Sequence, residues 1–442
     1  MNVSARYRIR GRSASEVARS VESAVREGAL APGDALPPVR ALAAALGMSA
    51  ATVAAAYRQL RARGIAAGAG RLGTRVTARP PVLEAPAPPA PRGLRDLASG
   101  NPDPKLFPPI RAHLPRIASA ARLYGGPADL PELLRVAAHD FERDGIPARH
   151  LAVVGGALDG VERVLQAHLR PGDPIAVEDP GYTGVLDLVP ALGLVPRGVA
   201  VDESGPQPAS LEAALRAGAR AFVVTPRAQN PTGAALDPAR VRELRRVLAA
   251  YPDALVVEDD HAGAIAGARA ETLSSPERAH WAVVRSVSKS LGPDLRVAAL
   301  TADEVTLARV RARRSVGAGW VSHLLQALVA RMWADPATAR RLAAAEKAYA
   351  ERRRALEDAL RGKGIAATAR SGLNVWIPVR EEASAVAHMA ARGWAIRAGE
   401  RYRLRSPPAV RVTVATLDPA EAPRVAADLA ESLRGGGRRP AA

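Results

Sequence analysis

The chain of 442 residues contains no cysteine, and only 3% of it is aromatic. The first absence excludes a disulfide framework, a thiolate zinc site and a cysteine nucleophile, and it fits a reducing compartment. Long apolar runs are missing too: the opening "MNVSARYRIRGRSASE" has none, and no later stretch is apolar over the thickness of a bilayer. This reads as a cytoplasmic protein without a membrane partner. Lysine is the remaining scarcity, for only four of the 62 basic residues are lysine. Arginine serves as well on a solvated surface but stays protonated, whereas a desolvated lysine can lose its proton and act as an amine nucleophile. Lys289, in "RSVSKSLGPDLR", is therefore worth following, although most lysines are plain surface charges.

What is present suits two to three globular domains with ample apolar residues for their cores. The net charge of +18 is unevenly spread: residues 1–80 hold 13 Arg against four acidic residues, a local net of +9. Such a concentration is the footprint of a nucleic-acid-binding module, but arginine-rich usage along the whole chain would produce part of it. The local pattern has to decide.

Val17, Val21 and Val25 share one helical face, and after "LPP" Val39, Leu42, Ala43 and Leu46 repeat at helical spacing until Gly47 breaks the run. Ser49 is a good N-cap for a third helix that turns Val53, Tyr57 and Leu60 inward and leaves Ser49, Thr52 and Arg58 outside. Two short helices around a tight turn make a helix-turn-helix, and "GIAAGAGRLGTRVTARP" after them reads as a two-stranded wing carrying Arg71 and Arg75. Gly68, Gly70 and Gly73 also fit G-x-G-x-x-G, but they run into β-branched residues and prolines instead of opening a helix, which excludes a dinucleotide fingerprint. The run "LPPVRALAAALGMSAATVAAAYRQLRARG" resembles the winged-helix domain of the GntR family of bacterial transcription regulators. The resemblance implies that Arg40, Ser49, Thr52 and Arg58 face double-stranded operator DNA, with Arg71 in the wing, and that the protein binds paired half-sites as a dimer.

The Pro- and Ala-dense "RPPVLEAPAPPAPRG", residues 79–93, reads as an extended tether between a DNA-binding domain at 1–78 and a large domain at 94–442. In the large domain, apolar β-rich runs alternate with helical stretches, which argues for a parallel sheet covered on both faces. Three polar clusters each follow such a run: "RAQNPTG", "EDDH" and "SVSKS". Strand carboxyl ends converge on the ligand crevice of open α/β sheets, so Asn230, Asp259 and Lys289 are expected in one pocket. A ligand needing a lysine amine, a buried carboxylate and anion-binding hydroxyls with an arginine is pyridoxal 5'-phosphate. Ser286, Ser288 and Arg296 flank the lysine, Gly156 and Ala157 stand at a strand-to-helix junction, and Tyr182 offers an aromatic face.

"YGGP", "GGALDG", "EDPGY", "QNPTG", "VVEDD" and "SVSKSLGPDLR", in this order over nearly all of residues 94–442, resemble the fold-type I aminotransferases. The resemblance implies that Lys289 forms a Schiff base with the cofactor, Asp259 pairs with the ring nitrogen, and Asn230 reaches the ring oxygen. It further implies that Ser286, Ser288 and Arg296 hold the phosphate, Tyr182 stacks on the ring, and Tyr124 reaches the neighbouring subunit's cofactor. Arg411, with Asn374, matches the group that binds a ligand α-carboxylate, and a small subdomain is expected over about 335–442. Two positions depart from the pattern. His261 stands where a cofactor-bonding tyrosine is usual, and its imidazole is expected to titrate near neutrality; Gly126 stands where an acidic residue is frequent. The scattered histidines give "EDDH" no metal-ligand spacing.

The combined architecture, an N-terminal winged helix-turn-helix joined by a Pro-rich linker to an α/β fold-type I aminotransferase-like domain, is similar to that of the MocR subfamily of GntR-type regulators, and within it to the PtsJ-like branch. That implies a head-to-tail homodimer that binds pyridoxal phosphate, controls vitamin B6 or amino-acid and amine metabolism, and answers to the cofactor or to an amine or amino acid reacting with it. Two other readings stay open: a working aminotransferase with an appended DNA-binding domain, and a cofactor-free dimerisation scaffold.

Overall fold

The computed structural model describes residues 7–26, 29–31, 33–62, 65–68, 73–76, 91, 93–117 and 123–435. Helices α1 (Ala14–Arg26), α2 (Val39–Leu46) and α3 (Ala50–Ala62) pack around a small core in which Val17, Val21, Val53, Tyr57 and Leu60 are wholly or almost wholly buried. Gly47 ends α2 in the left-handed region (φ 64°), where glycine avoids the steric cost of a side chain. Ser49 Oγ then accepts the Thr52 backbone N–H at 3.1 Å, capping α3, and the two helices turn by 118°. Strands β1 (Ala66–Gly68) and β2 (Thr74–Val76) pair antiparallel as the wing. Arg71, and the tether apart from Pro91 and Gly93, lie outside the described residues.

The large domain is built on strands β3 (Leu151–Val154), β4 (Pro174–Asp179), β5 (Val195–Asp202), β6 (Ala221–Val224), β7 (Leu255–Asp260), β8 (Trp281–Ser286) and β9 (Ala298–Ala302). Their order across the sheet is β3, β9, β8, β7, β6, β4, β5, with the short strand Gly205–Pro206 at the edge. Strands β4 to β8 run parallel, as the alternation predicts, but β9 is antiparallel to both of its neighbours. The parallel expectation is corrected there for a geometric reason: the chain from Ser286 to Ala298 is too short for the crossover of about a dozen or more residues that a parallel neighbour requires. Alternate residues feed cores on the two faces, Val256 one and Val257 the other, so both faces are apolar and each strand reads as a continuous hydrophobic run.

A second sheet holds β10 (Asn374–Pro378), β11 (Arg397–Ala398) and β12 (Ala409–Thr413), with β12 in the middle and antiparallel to both. The long helix Pro336–Arg361 packs beside it. The segment after the tether joins this region, for Arg95–Asp96 pairs in parallel with Trp394–Ala395. Among the described residues no single helix is long and apolar enough to cross a membrane.

Candidate functional site

The carboxyl ends of β4, β6, β7 and β8 point to one edge of the sheet, and a cavity of about 520 Å³ opens beyond them. Lys289, Asn230, Tyr182 and Arg411 line it together with the segment Ala98–Asn101. Lys289 donates from Nζ to the Gly100 carbonyl at 2.9 Å. Burial, seconded by the positive charge of Arg411, pushes its pKa down to about 8, so far more of the amine is unprotonated near neutral pH than in an exposed lysine. The lysine singled out by its rarity thus has the environment of a nucleophile.

Asp259 and Asp260 are neighbours on β7, and strand alternation sends them to opposite faces. Asp259 is 2% exposed, its Oδ1 has no hydrogen-bond partner, and burial with the adjacent Asp260 charge raises its pKa to about 7. Asp260 is also buried but has two cations. Arg227 meets both its oxygens at 2.9 Å and Arg285 Nε reaches Oδ2 at 2.7 Å, and these charges hold it well below the usual carboxylate range. An orphan acid on one face of β7, beside a saturated one on the other, suits a bound cationic ring N–H.

A second group of residues forms an anion cradle at the start of α4 (Ala157–His168). Gly156 has φ 113°, and a Cβ there would lie 2.8 Å from an Arg296 guanidinium nitrogen. Arg296 itself donates to the Gly155 carbonyl at 3.0 Å. Ser286 Oγ accepts the Ser288 backbone N–H at 3.2 Å, while Ser288 Oγ is buried without a partner. Glycine, the positive end of a helix, a free hydroxyl and an arginine suit a phosphate group. Tyr182 caps the start of α5 (Thr183–Ala191) and stands at the cavity wall.

Arg411 is 3% exposed and donates to Asn230 Oδ1 at 3.0 Å and to the Ala98 carbonyl at 2.5 Å. Its Nε has no partner, and its guanidinium lies 4.9 Å from the Tyr402 ring centroid. It is a buried cation whose hydrogen-bond partners are neutral oxygens. Asn374 is not at the cavity wall: it is buried, and its Oδ1 accepts the Thr413 hydroxyl at 2.9 Å.

Two expectations change. His261 does not titrate near neutrality, because the protein packed around its ring, and then the Lys289 charge, push its pKa down to about 4. It is a neutral imidazole under ordinary conditions, able to offer one N–H and one acceptor. Ser49, expected to face outward to DNA, instead donates to Glu381 Oε1 of the large domain at 3.1 Å, and its hydroxyl is 2.8 Å from that of Thr52. Arg40 and Arg58 are exposed. Tyr124 is 91% exposed and packs edge-on against Trp320 at 5.3 Å, away from its own chain's cavity. Nothing in the structure explains glycine at position 126.

Sequence reasoning missed Arg397, Arg401 and Tyr402, which also line the cavity. All three sit in "WAIRAGERYR", and the signal available was the clustering of Arg397, Arg401 and Arg403 just after an apolar strand. It missed Glu178 as well, a fully buried acid that accepts the Thr225 N–H and the Gln229 amide, each at 3.2 Å.

Comparison with known proteins finds relatives of both domains. Residues 93–429 match the family model of aminotransferase class I and II, and residues 13–76 match that of bacterial regulatory proteins of the gntR family. The chain is 41% identical over 430 residues to the vitamin B6 salvage pathway transcriptional repressor PtsJ of Salmonella typhimurium, covering 96% of this chain and 99% of the relative. Among solved structures it is similar to the Pyrococcus horikoshii kynurenine aminotransferase, with a TM-score of 0.72 at 21% identity over 78% of this chain and 92% of that one. The α-aminoadipate aminotransferase LysN of Thermus thermophilus, solved with N-(5'-phosphopyridoxyl)-L-leucine, gives 0.67 at 23% identity over 78% and 93%. These two likenesses establish the fold.

Proposed function

The chain belongs to the MocR-type regulators, in which a gntR-family domain precedes an aminotransferase class I and II domain, and from this premise we propose that it is a transcription regulator of vitamin B6 metabolism whose DNA binding responds to pyridoxal 5'-phosphate. The observation that carries the proposal is the convergence of Lys289, the orphan Asp259 and the cradle of Gly156, Ser288 and Arg296 in one domain of a chain whose other domain is a winged helix. When bound, pyridoxal phosphate supplies an aldehyde open to attack by an amine. Lys289 offers that amine, Asp259 takes the ring N–H, and Asn230 with the neutral His261 offers hydrogen bonds towards the ring oxygen. Ser286, Ser288, Arg296 and the N–H of Ala157 hold the phosphate, and Tyr182 covers the ring.

In this reading Arg40 and Arg58 contact the operator, Arg71 adds a wing contact, and the Ser49–Thr52 pair joins them once the contact of Ser49 with Glu381 opens. The protein acts as a homodimer, supported by the exposed apolar side chains Leu123, Tyr124, Val316 and Leu324, which a second copy would cover. Vitamin B6 as the subject of control follows the printed name of the PtsJ relative. Coupling requires that the ligand favour one arrangement of the winged helices over another. The test is binding to an operator selected from a random DNA pool, with and without pyridoxal phosphate. The cofactor is expected to shift the affinity of wild type and to leave Lys289→Ala unmoved; equal affinity in all four conditions defeats the effector role. The intact Lys289, Asp259 and Arg411 also keep a second reading, a transaminating enzyme. Sustained turnover of an amino acid with a keto acid would favour it.

A further inference from the structure

On the second sheet, Arg397 of β11 and Arg411 of β12 are direct cross-strand partners. Directly opposed residues project from the same face with Cβ atoms about 4.5–5.5 Å apart, and like charges so placed are destabilising. Both line the cavity, and the charge of Arg397 acts on Arg411, adding to the desolvation that lowers its pKa. Among the described residues Asp96 is the one carboxylate whose charge acts on both arginines, and it offsets them only in part. Asp96, whose field reaches Arg397, spends its Oδ1 on the N–H groups of Ala98 and Ser99 at 2.9 and 3.0 Å. Among the described residues no acid lies within 4.0 Å of the Arg397 guanidinium. The one acid on the cavity wall, Asp187, is already 3.4 Å from Arg401.

Two adjacent arginines, one almost fully buried, that share a single carboxylate outside ion-pair distance of Arg397 leave an excess positive charge at the cavity wall, which suits a bound anion. The cofactor phosphate does not meet this demand, because its cradle at Gly156 and Arg296 is a separate place. A single α-carboxylate on Arg411 satisfies one cation and leaves the other. We propose that the amino-acid effector of this cavity is an acidic one, its α-carboxylate on Arg411 and its side-chain carboxylate on Arg397. Both arginines start from adjacent positions of one sheet face and end at one cavity, so a short dicarboxylate such as aspartate or glutamate is the simplest ligand to meet both. Arg397 is thereby the residue that sets specificity.

This inference rests on the cavity's being the effector site, and the test separates the two claims. L-Glutamate and L-glutamine, which differ only in the charge and donor pattern of one terminal group, are titrated calorimetrically into the pyridoxal phosphate-loaded protein. Glutarate and butyrate are titrated into the cofactor-free protein, and Arg397→Gln and Arg397→Lys are run beside wild type. Glutamate is expected to bind at least about tenfold more tightly than glutamine, as is glutarate than butyrate, since hydrogen bonds to charged groups are the strong class. Arg397→Gln should abolish both preferences while keeping the visible cofactor band, and Arg397→Lys should restore part of them. Equal binding of glutamate and glutamine, or equal weakening of both in Arg397→Gln, overturns the inference, the latter meaning that one carboxylate bridges both arginines. Absence of the cofactor band in every protein counts against the cofactor reading instead, and the glutarate arm still decides the anion pair.

Discussion

Lys289 owes its reactivity to where it stands, and the consequence can be timed. With its pKa lowered to about 8, the rate of cofactor capture, followed by stopped-flow visible absorption, is expected to climb with pH and level off above about pH 8. A rate still climbing near the ordinary lysine value would mean that the amine is solvated. Glu178 gives a second pH signature with the opposite kind of group. Burial raises its pKa to about 8 from 4.5, so the folded protein keeps a proton that the unfolded chain releases. Its contribution to stability is complete below the unfolded value and is lost as pH rises through about 8. Glu178→Gln should therefore flatten the fall in Tm between about pH 5 and pH 8; a fall as steep as in wild type would show that other groups carry it. Asp259, also raised, contributes in the same direction, whereas His261, lowered to about 4, contributes stability that is lost as pH falls through that value.

Among the elements, the ends of β6 and β7 are locked together. Arg227, just past β6, clamps Asp260 at the end of β7, and the same arm carries Asn230 to the cavity. Removing one member of a buried ion pair typically costs about 3–5 kcal/mol because a charge is left uncompensated. Asp260 keeps Arg285, so Arg227→Met should fall at the low end of that range by urea unfolding and should loosen cofactor binding through the displaced Asn230. A loss of stability with unchanged cofactor affinity would show the clamp to be structural only. At the start of α4, Gly156→Ala meets both a positive φ and the Arg296 side chain, and it is expected to weaken phosphate binding at least tenfold while leaving the fold intact. These elements also show what the sequence could and could not say. The strands were legible because residues such as Val256 and Val257 must satisfy apolar cores on opposite faces, and the polar ends of β6, β7 and β8 revealed the site. The reversal of β9 was hidden because burial on both faces reads the same in either direction. Arg397 was hidden for another reason, since strand register across β11 and β12, set by long-range pairing, decides which arginines share a face.

For the whole molecule, the join between the two functional domains matters most. The start of α3 meets the large domain through Ser49 and Glu381, and further along Gln59 donates to Glu400 Oε1 at 2.9 Å. Glu400 belongs to the turn Gly399–Tyr402, whose Arg401 and Tyr402 line the cavity. A carboxylate at the head of a helix stands where a DNA phosphate would otherwise be received. Glu381→Ala should accordingly tighten DNA binding severalfold in an electrophoretic mobility assay, and equal affinity would show that the contact opens freely. The positive charge of the first 80 residues is legible in composition, but this contact pairs residues 332 positions apart and leaves no local trace.

The central claim is that a DNA-binding chain has kept an aminotransferase site in order to hold its cofactor. Titration of the purified protein with pyridoxal phosphate, followed by visible absorption with Lys289→Ala alongside, tests it most directly. The account predicts a saturable band in wild type that the variant lacks, with both proteins still binding DNA. A band of equal strength in the two, or in neither, would contradict it.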